Sequence, residues 1–198
     1  MKQAWVIASS NVKKRHEIAM ILAPLSIELL PAEATVFVDV DEDQDSFAGN
    51  ARKKAEAFVQ ANGAPALADD SGLCVHALDG APGIYSARFA GEHCSESMNN
   101  EKLLMLMQGK ENRQAYFMCA LHVAFPDHSS ALSCEGRVDG MIMNKAVGTS
   151  GFGYDPLFFC HELGKVFALA TAKEKASVSH RGRALQSLLK KMYASREL

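Results

Sequence analysis

The stretch Pro65-Ala66-Leu67-Ala68-Asp69-Asp70-Ser71-Gly72-Leu73 decides how this chain is read. An apolar run that breaks at Ser-Gly predicts a buried strand ending in a tight turn, with two carboxylates at the strand end. Neighbouring carboxylates repel each other in a low dielectric. They coexist there when they share a cation, a proton or a cluster of donors. A hard divalent ion such as Mg²⁺ suits them, because it takes carboxylate oxygens and leaves room for substrate phosphates. A solvated Asp-Asp turn is the alternative on this segment alone.

Working outward, the composition is that of a globular protein: 198 residues, 48% apolar and 22% charged, which predicts a single domain over 1–198. A net charge of −2 gives no general attraction to nucleic acid or to an anionic membrane. The apolar run at Trp5-Val6-Ile7-Ala8 is too short for a signal peptide, and no stretch reaches the length of a membrane helix. The five cysteines (Cys74, Cys94, Cys119, Cys134, Cys160) form no Cys-x-x-Cys pair. They read as free thiols in a reducing, cytoplasmic setting.

Along the chain, Trp5 to Ala8 predicts a first buried strand. Ser9-Ser10-Asn11 then caps a helix with Ile18, Ile21, Leu22 and Leu25 on its apolar face. Lys13 and Lys14 stand beside the backbone N–H groups of that helix start, an arrangement that binds phosphate or is simply solvated. The spacing is not that of a Walker A loop. Ile27 to Leu30 and Val36 to Val40 read as strands. After the acidic loop Asp41 to Asp45, Ser46 caps a helix running to about Gln60, on which Asn50 and Lys54 share a face. Leu73 to Leu78 is strand-like, Ser95 to Gln108 helical, and Gln114 to Phe125 pairs with Ala131 to Val138 across a turn at Pro126 to Ser130. Gly148-Thr149-Ser150-Gly151-Phe152-Gly153-Tyr154-Asp155-Pro156 brings backbone close to a ligand and offers Phe152 and Tyr154 as planar faces, or is a tight loop on the core. Thr171-Ala172-Lys173-Glu174 has capping-box spacing and precedes Lys175. Ser179-His180-Arg181-Gly182 opens a terminal helix whose His-Arg pair can donate to base carbonyls or merely cap.

Taken together these segments resemble the inosine/xanthosine triphosphate pyrophosphatase family. The matching pieces are Ser9 to Lys14, Glu42 with Ser46 to Ala55, Ala68 to Leu73, Ala81-Pro82-Gly83-Ile84-Tyr85-Ser86-Ala87-Arg88, Gly151 to Pro156, Lys175, and Ser179 to Gly182. They follow the family's order over nearly the whole chain. The resemblance implies an elongated mixed-sheet α/β fold with two lobes around a central nucleotide-binding cleft, usually as a homodimer. It implies Mg²⁺-dependent hydrolysis of inosine, deoxyinosine and xanthosine triphosphates to monophosphate and pyrophosphate.

By position, the resemblance makes Glu42 and Asp70 the metal ligands and Asp70 the general base, with Asp69 tuning the site. It makes Ser9, Ser10, Asn11, Val12, Lys13, Lys14, Ser71, Lys54 and Lys175 phosphate contacts, with Asn50 beside them. Phe152 is expected to stack on the base, Gly153, Tyr154 and Asp155 to shape its pocket, and His180 and Arg181 to donate to purine oxygens. Two positions depart from the pattern: Gly49 stands where Glu is common, and Ser10 where Gly is common. A nucleotide-binding sensor with little turnover is the alternative from another class. A related pyrophosphatase for modified pyrimidine nucleotides is a third reading, against which the His180-Arg181 pair and the Gly-Phe-Gly-Tyr-Asp loop argue.

Overall fold

The computed structural model describes residues 4–23, 27–127 and 131–194. Leu25 and the turn residues His128, Ser129 and Ser130 lie outside them. Six strands form one sheet in sequence order: β1 (Val6–Ile7), β2 (Ala66–Val75), β3 (Gln114–Ala124), β4 (Leu132–Ile142), β5 (Phe158–Cys160) and β6 (Lys165–Val166). The sheet is mixed, since β1 runs parallel to β2 while β4, β5 and β6 pair antiparallel. Among the described residues, five α-helices accompany the strands: α1 (Val12–Leu22), α2 (Phe47–Asn62), α3 (Glu96–Leu106), α4 (Ala172–Val178) and α5 (His180–Ala194).

The chain divides into two compact units. The first holds residues 1–70, 119–136 and 181–198; the second holds 71–118 and 137–180. In the first, alternate residues of β1 and β2 serve two different cores, as a period of two requires. Ile7 and Leu67 pack with Ile18 and Leu22 of α1 and Leu185 and Leu188 of α5. Val6, Ala66 and Ala68 pack with Ala55, Phe58 and Val59 of α2. The second unit is built around Leu73, Val75, Leu103, Phe117, Val138, Leu157, Phe158 and Phe167.

Helix starts follow the sequence closely because their caps are local chemistry. Asn11, Ser46, Ser95 and Thr171 each accept a backbone N–H from the first turn of α1, α2, α3 and α4. Thr171 and Glu174 complete a capping box. Strand boundaries needed correction. The expected turn at Ser71-Gly72 is absent: β2 continues through it to Val75, and the strand expected to follow ends in a short 3₁₀ turn at His76–Leu78. Nine of the ten β2 residues are buried, and burial on both faces overrides the local turn preference of Ser-Gly. Asp69 and Asp70 therefore lie within a strand and not at its end. Val36 to Val40 is not in a strand. The Asn62 side chain takes both the N–H (2.8 Å) and the C=O (3.0 Å) of Val36, which satisfies backbone groups a strand partner would otherwise satisfy. Ile27 to Leu30 contributes a single parallel bridge, Trp5 with Leu29.

Candidate active site

In the first unit, β2 presents Asp69 and Asp70, 1% and 4% exposed. Successive strand residues point to opposite faces, so the two carboxylates meet different partners. Asp69 Oδ2 accepts from Nε (3.1 Å) and Nη2 (2.9 Å) of Arg181, and Lys14 Nζ lies 3.4 Å from Oδ1. Asp70 Oδ2 accepts from Asn50 Nδ2 at 3.0 Å. Burial opposes ionisation of Asp69, but the charges of Lys14, Arg181 and Lys54 outweigh it and hold this carboxyl far below the ordinary range. Asp70 goes the other way. Burial, then the nearby Glu42 carboxylate, push it up to about 6 against the pull of Lys54 and Lys14.

Helix α2 supplies the rest of this cluster. Asn50 and Lys54 share a face, as the four-residue spacing predicted. Lys54 Nζ donates to Glu42 Oε1 at 2.5 Å, and although burial alone would lower its pKa, Glu42 and Asp69 raise it. Asn50 Oδ1 accepts the Gln44 N–H at 3.0 Å, so one buried amide joins the acidic loop to Asp70. Lys53, one residue away, instead holds the loop's Asp41 carbonyl and Asp43 carboxylate. We expect Lys54→Ala to lower kcat/KM at least about tenfold, equal to about 1.4 kcal/mol, on the deoxyinosine triphosphate that the sequence resemblance implies. Steady-state kinetics checks this; unchanged kinetics would assign Lys54 a purely structural role.

At the α1 start, Ser9 Oγ accepts the Asn11 N–H and Asn11 Oδ1 accepts the Lys14 N–H. Ser10, Val12 and Lys13 are exposed there. Ser10 is not among the residues with positive φ, so its backbone asks for no glycine.

In the second unit, the loop at 148–156 turns through Gly148, Gly151 and Gly153, all with positive φ. A Cβ on Gly151 would stand 2.2 Å from Asp155 Oδ2, so this close approach admits glycine alone. Asp155 Oδ2 accepts the Phe152 N–H (2.9 Å) and pairs with Lys175 Nζ (2.6 Å). The Lys175 ammonium also lies 4.5 Å from the Phe152 ring centroid. Lys175, expected among the phosphate contacts, is thus placed on the aromatic loop in the second unit, while Lys14 and Lys54 are in the first. Tyr154 donates its hydroxyl to the Ser86 carbonyl, and Asn100 Nδ2 donates to the Gly153 carbonyl at 3.0 Å. Ser71 lies at the start of this unit within β2.

His180 and Arg181 are adjacent at the start of α5 but serve different neighbours. The His180 ring stacks on Phe117 at 4.7 Å, in the second unit. Arg181, 1% exposed, belongs to the first; besides Asp69 it donates from Nη1 to Glu17 Oε2 at 2.5 Å. Glu17 belongs to none of the sequence motifs, and Ser86 enters them only within the Ala81 to Arg88 segment, with no role of its own. Glu17 follows Lys14 by three positions and so shares its helix face, a signal that pointed to it. Ser86 is found through its hydrogen bonds to the Leu73 N–H and the Gly83 carbonyl, which no local pattern announces.

The Glu42 carboxylate raises the cost of ionising Asp70, and both side chains offer only oxygen donors. That donor set fits Mg²⁺, which is commonly held by one or two carboxylates with water and phosphate completing its shell. Among the described residues, no group of three or more His, Cys, Asp or Glu side chains is arranged to hold a metal.

Fold and site define a mixed α/β protein that gathers lysines and paired carboxylates in one unit and an aromatic glycine loop in the other. The chain belongs to the Ham1 family, whose profile matches residues 5–191. It is 47% identical over 184 residues to the dITP/XTP pyrophosphatase of Desulfotalea psychrophila, covering 92% of this chain and 82% of that one. It is 45% identical to the dITP/XTP pyrophosphatase of Aromatoleum aromaticum, covering 97% and 98%. Among solved structures, a HAM1 protein from Coxiella burnetii superposes with a TM-score of 0.87 at 34% identity, covering 97% of this chain and 99% of that one.

Proposed function

We propose that this chain is a nucleoside triphosphate pyrophosphatase that hydrolyses non-standard purine nucleotides (deoxyinosine, xanthosine and inosine triphosphates) to the monophosphate and pyrophosphate with Mg²⁺. The observation that carries the reading is the divided Asp69-Asp70 pair. One carboxylate is locked in ion pairs, and the other is pushed up to about 6 beside Glu42 and Lys54.

Asp70 takes the proton from the attacking water at a carboxylate oxygen. Without a bound cation the Asp70 carboxyl is pushed up to about 6 and is ionised at neutral pH, as a proton acceptor must be. Asn50 orients it by donating to Oδ2. Lys13, Lys14, Lys54, Ser9, Ser10, Asn11 and Val12, with the spare N–H groups of the α1 start, hold the phosphates and neutralise charge moving onto the pyrophosphate. Mg²⁺, held by Glu42 and Asp70, would supply Lewis-acid neutralisation at the phosphate oxygens. Asp69 acts through its ion pairs, keeping Lys14 and Arg181 in place.

In the second unit, Phe152 stacks on the purine, held by Asp155 and Lys175, while Gly153, Tyr154 and His180 shape and read the base. A 6-oxopurine presents an acceptor where adenine presents an amino group, and a donor facing that amino group would be left unpaired. Kinetics on a substrate panel tests the reading: kcat/KM for deoxyinosine and xanthosine triphosphates should exceed that for adenosine triphosphate at least about a hundredfold. Equal turnover of adenosine triphosphate would refute the specificity, and absence of pyrophosphate release from every substrate would favour a nucleotide sensor.

The reading extends to a cytoplasmic homodimer. It is supported by the five free cysteines and by exposed Tyr85, Met98 and Met105. No helix among the described residues is long and apolar enough to cross a membrane. Sedimentation velocity tests the dimer.

A further inference from the structure

Gly49 sits in the first turn of α2 with no positive φ. Its conformation therefore asks for no glycine, and in a helix glycine is the poorest choice but proline. The reason for it is contact. A Cβ here would stand 2.9 Å from Gln44 Cβ, 3.3 Å from Gln44 Cγ and 3.1 Å from Ser46 Oγ. The Gln44 side chain thus lies against bare helix backbone. Its own N–H donates to Asn50, whose amide donates to Asp70. Two residues earlier in the same loop, Glu42 is paired with Lys54.

We propose that the close contact between Gly49 and position 44 forms a clasp that sets the acidic loop on α2, through which the backbone at Gln44 positions the Glu42 carboxylate. The proposal rests on the reading of Glu42 as a metal ligand. A methyl group at 49 would push Gln44 Cβ away, and the loop has somewhere to go. Gln44 and Gly49 line a surface cavity of about 400 Å³ together with Ala48, Arg52, Lys53 and Glu56. The displaced loop would draw the Gln44 N–H from Asn50 and Glu42 from its place near Asp70, while α2 itself, gaining an alanine, would be no weaker.

The test compares the parent with Gly49→Ala and with the exchange variant Gly49→Ala/Gln44→Gly, which moves the Cβ from one side of the contact to the other. Mn²⁺ binding by calorimetry, kcat/KM with Mg²⁺ and melting temperature are measured for each. Gly49→Ala is expected to weaken Mn²⁺ binding and lower kcat/KM, each about tenfold, the scale of a lost outer-shell contact, with no fall in melting temperature. The exchange variant should return both to within about threefold of the parent. Parental Mn²⁺ binding and kinetics in Gly49→Ala would overturn the clasp, as would an exchange variant no better than the single one. If the parent binds no Mn²⁺, the metal reading fails, and the kcat/KM ordering alone decides the clasp. If Gly49→Ala does not fold, the exchange variant must fold and match the parent, and its failure to do so refutes the proposal.

Discussion

Asp70→Asn is expected to abolish hydrolysis while making the metal-free protein more stable above pH 6. Asparagine keeps the shape and can still meet Asn50, but it can neither take a proton from water nor ligate a cation as a carboxylate does. The stability gain follows from linkage. The Asp70 carboxyl is pushed from 3.8 to about 6 on folding, so the folded chain holds that proton more tightly than the unfolded one. Its contribution is fully present below about pH 4 and is lost as pH rises through about 6. At pH 7 the parent then carries a buried carboxylate that its surroundings oppose, at a cost of up to about 3 kcal/mol. The amide variant does not titrate and escapes this cost. In a chelator-containing buffer, the melting temperature of Asp70→Asn should exceed the parent's by several degrees at pH 7 and approach it near pH 4. Mg²⁺ should raise the parent more than the variant. Near-parental turnover would show that Asp70 is neither base nor ligand. A melting difference independent of pH would show that its burial costs nothing.

Arg181→Ala is expected to be the most destabilising single change at the site, costing about 3–5 kcal/mol. The guanidinium is 1% exposed and bridges Asp69 to Glu17. Removing it strips buried Asp69 of both guanidinium hydrogen bonds and of one of the cations that, with Lys14 and Lys54, offset its burial. Lysine is no substitute, because a point charge cannot reproduce the planar fork. Adding Asp69→Asn to Arg181→Ala should recover part of the loss, since the stranded charge is then gone. Denaturant unfolding with the two single variants and the double variant checks this. A residue that served only to read purine oxygens would behave differently: selectivity against adenosine triphosphate would fall while the unfolding midpoint stayed put. That outcome would return Arg181 to the base-reading role implied by the sequence resemblance.

The sequence by itself determined the features whose physics is local. Three helix caps were legible from Asn11, Ser46 and Thr171, because a cap is made by a side chain with backbone two or three residues away. The shared face of Asn50 and Lys54 followed from helical geometry alone. Ordered motifs also carried the family and the α/β class. Only the tertiary structure decided what long-range neighbours control. Ser71-Gly72 carries turn residues, yet burial on both faces draws it into β2. Val36 to Val40 has strand composition, yet the Asn62 side chain occupies the backbone groups of Val36. As residue types Asp69 and Asp70 are alike, and in the sequence only the family resemblance gives them different roles. They differ because a strand turns alternate side chains to opposite faces, and those faces meet Arg181 and Lys14 on one side and Asn50 on the other. His180 and Arg181 read as a pair for the same reason that adjacent letters do, but α5 directs the one to Phe117 and the other to Glu17 and Asp69. Charge state depends on which buried groups come within a few ångströms. That distance is a property of the folded chain and not of spacing along it.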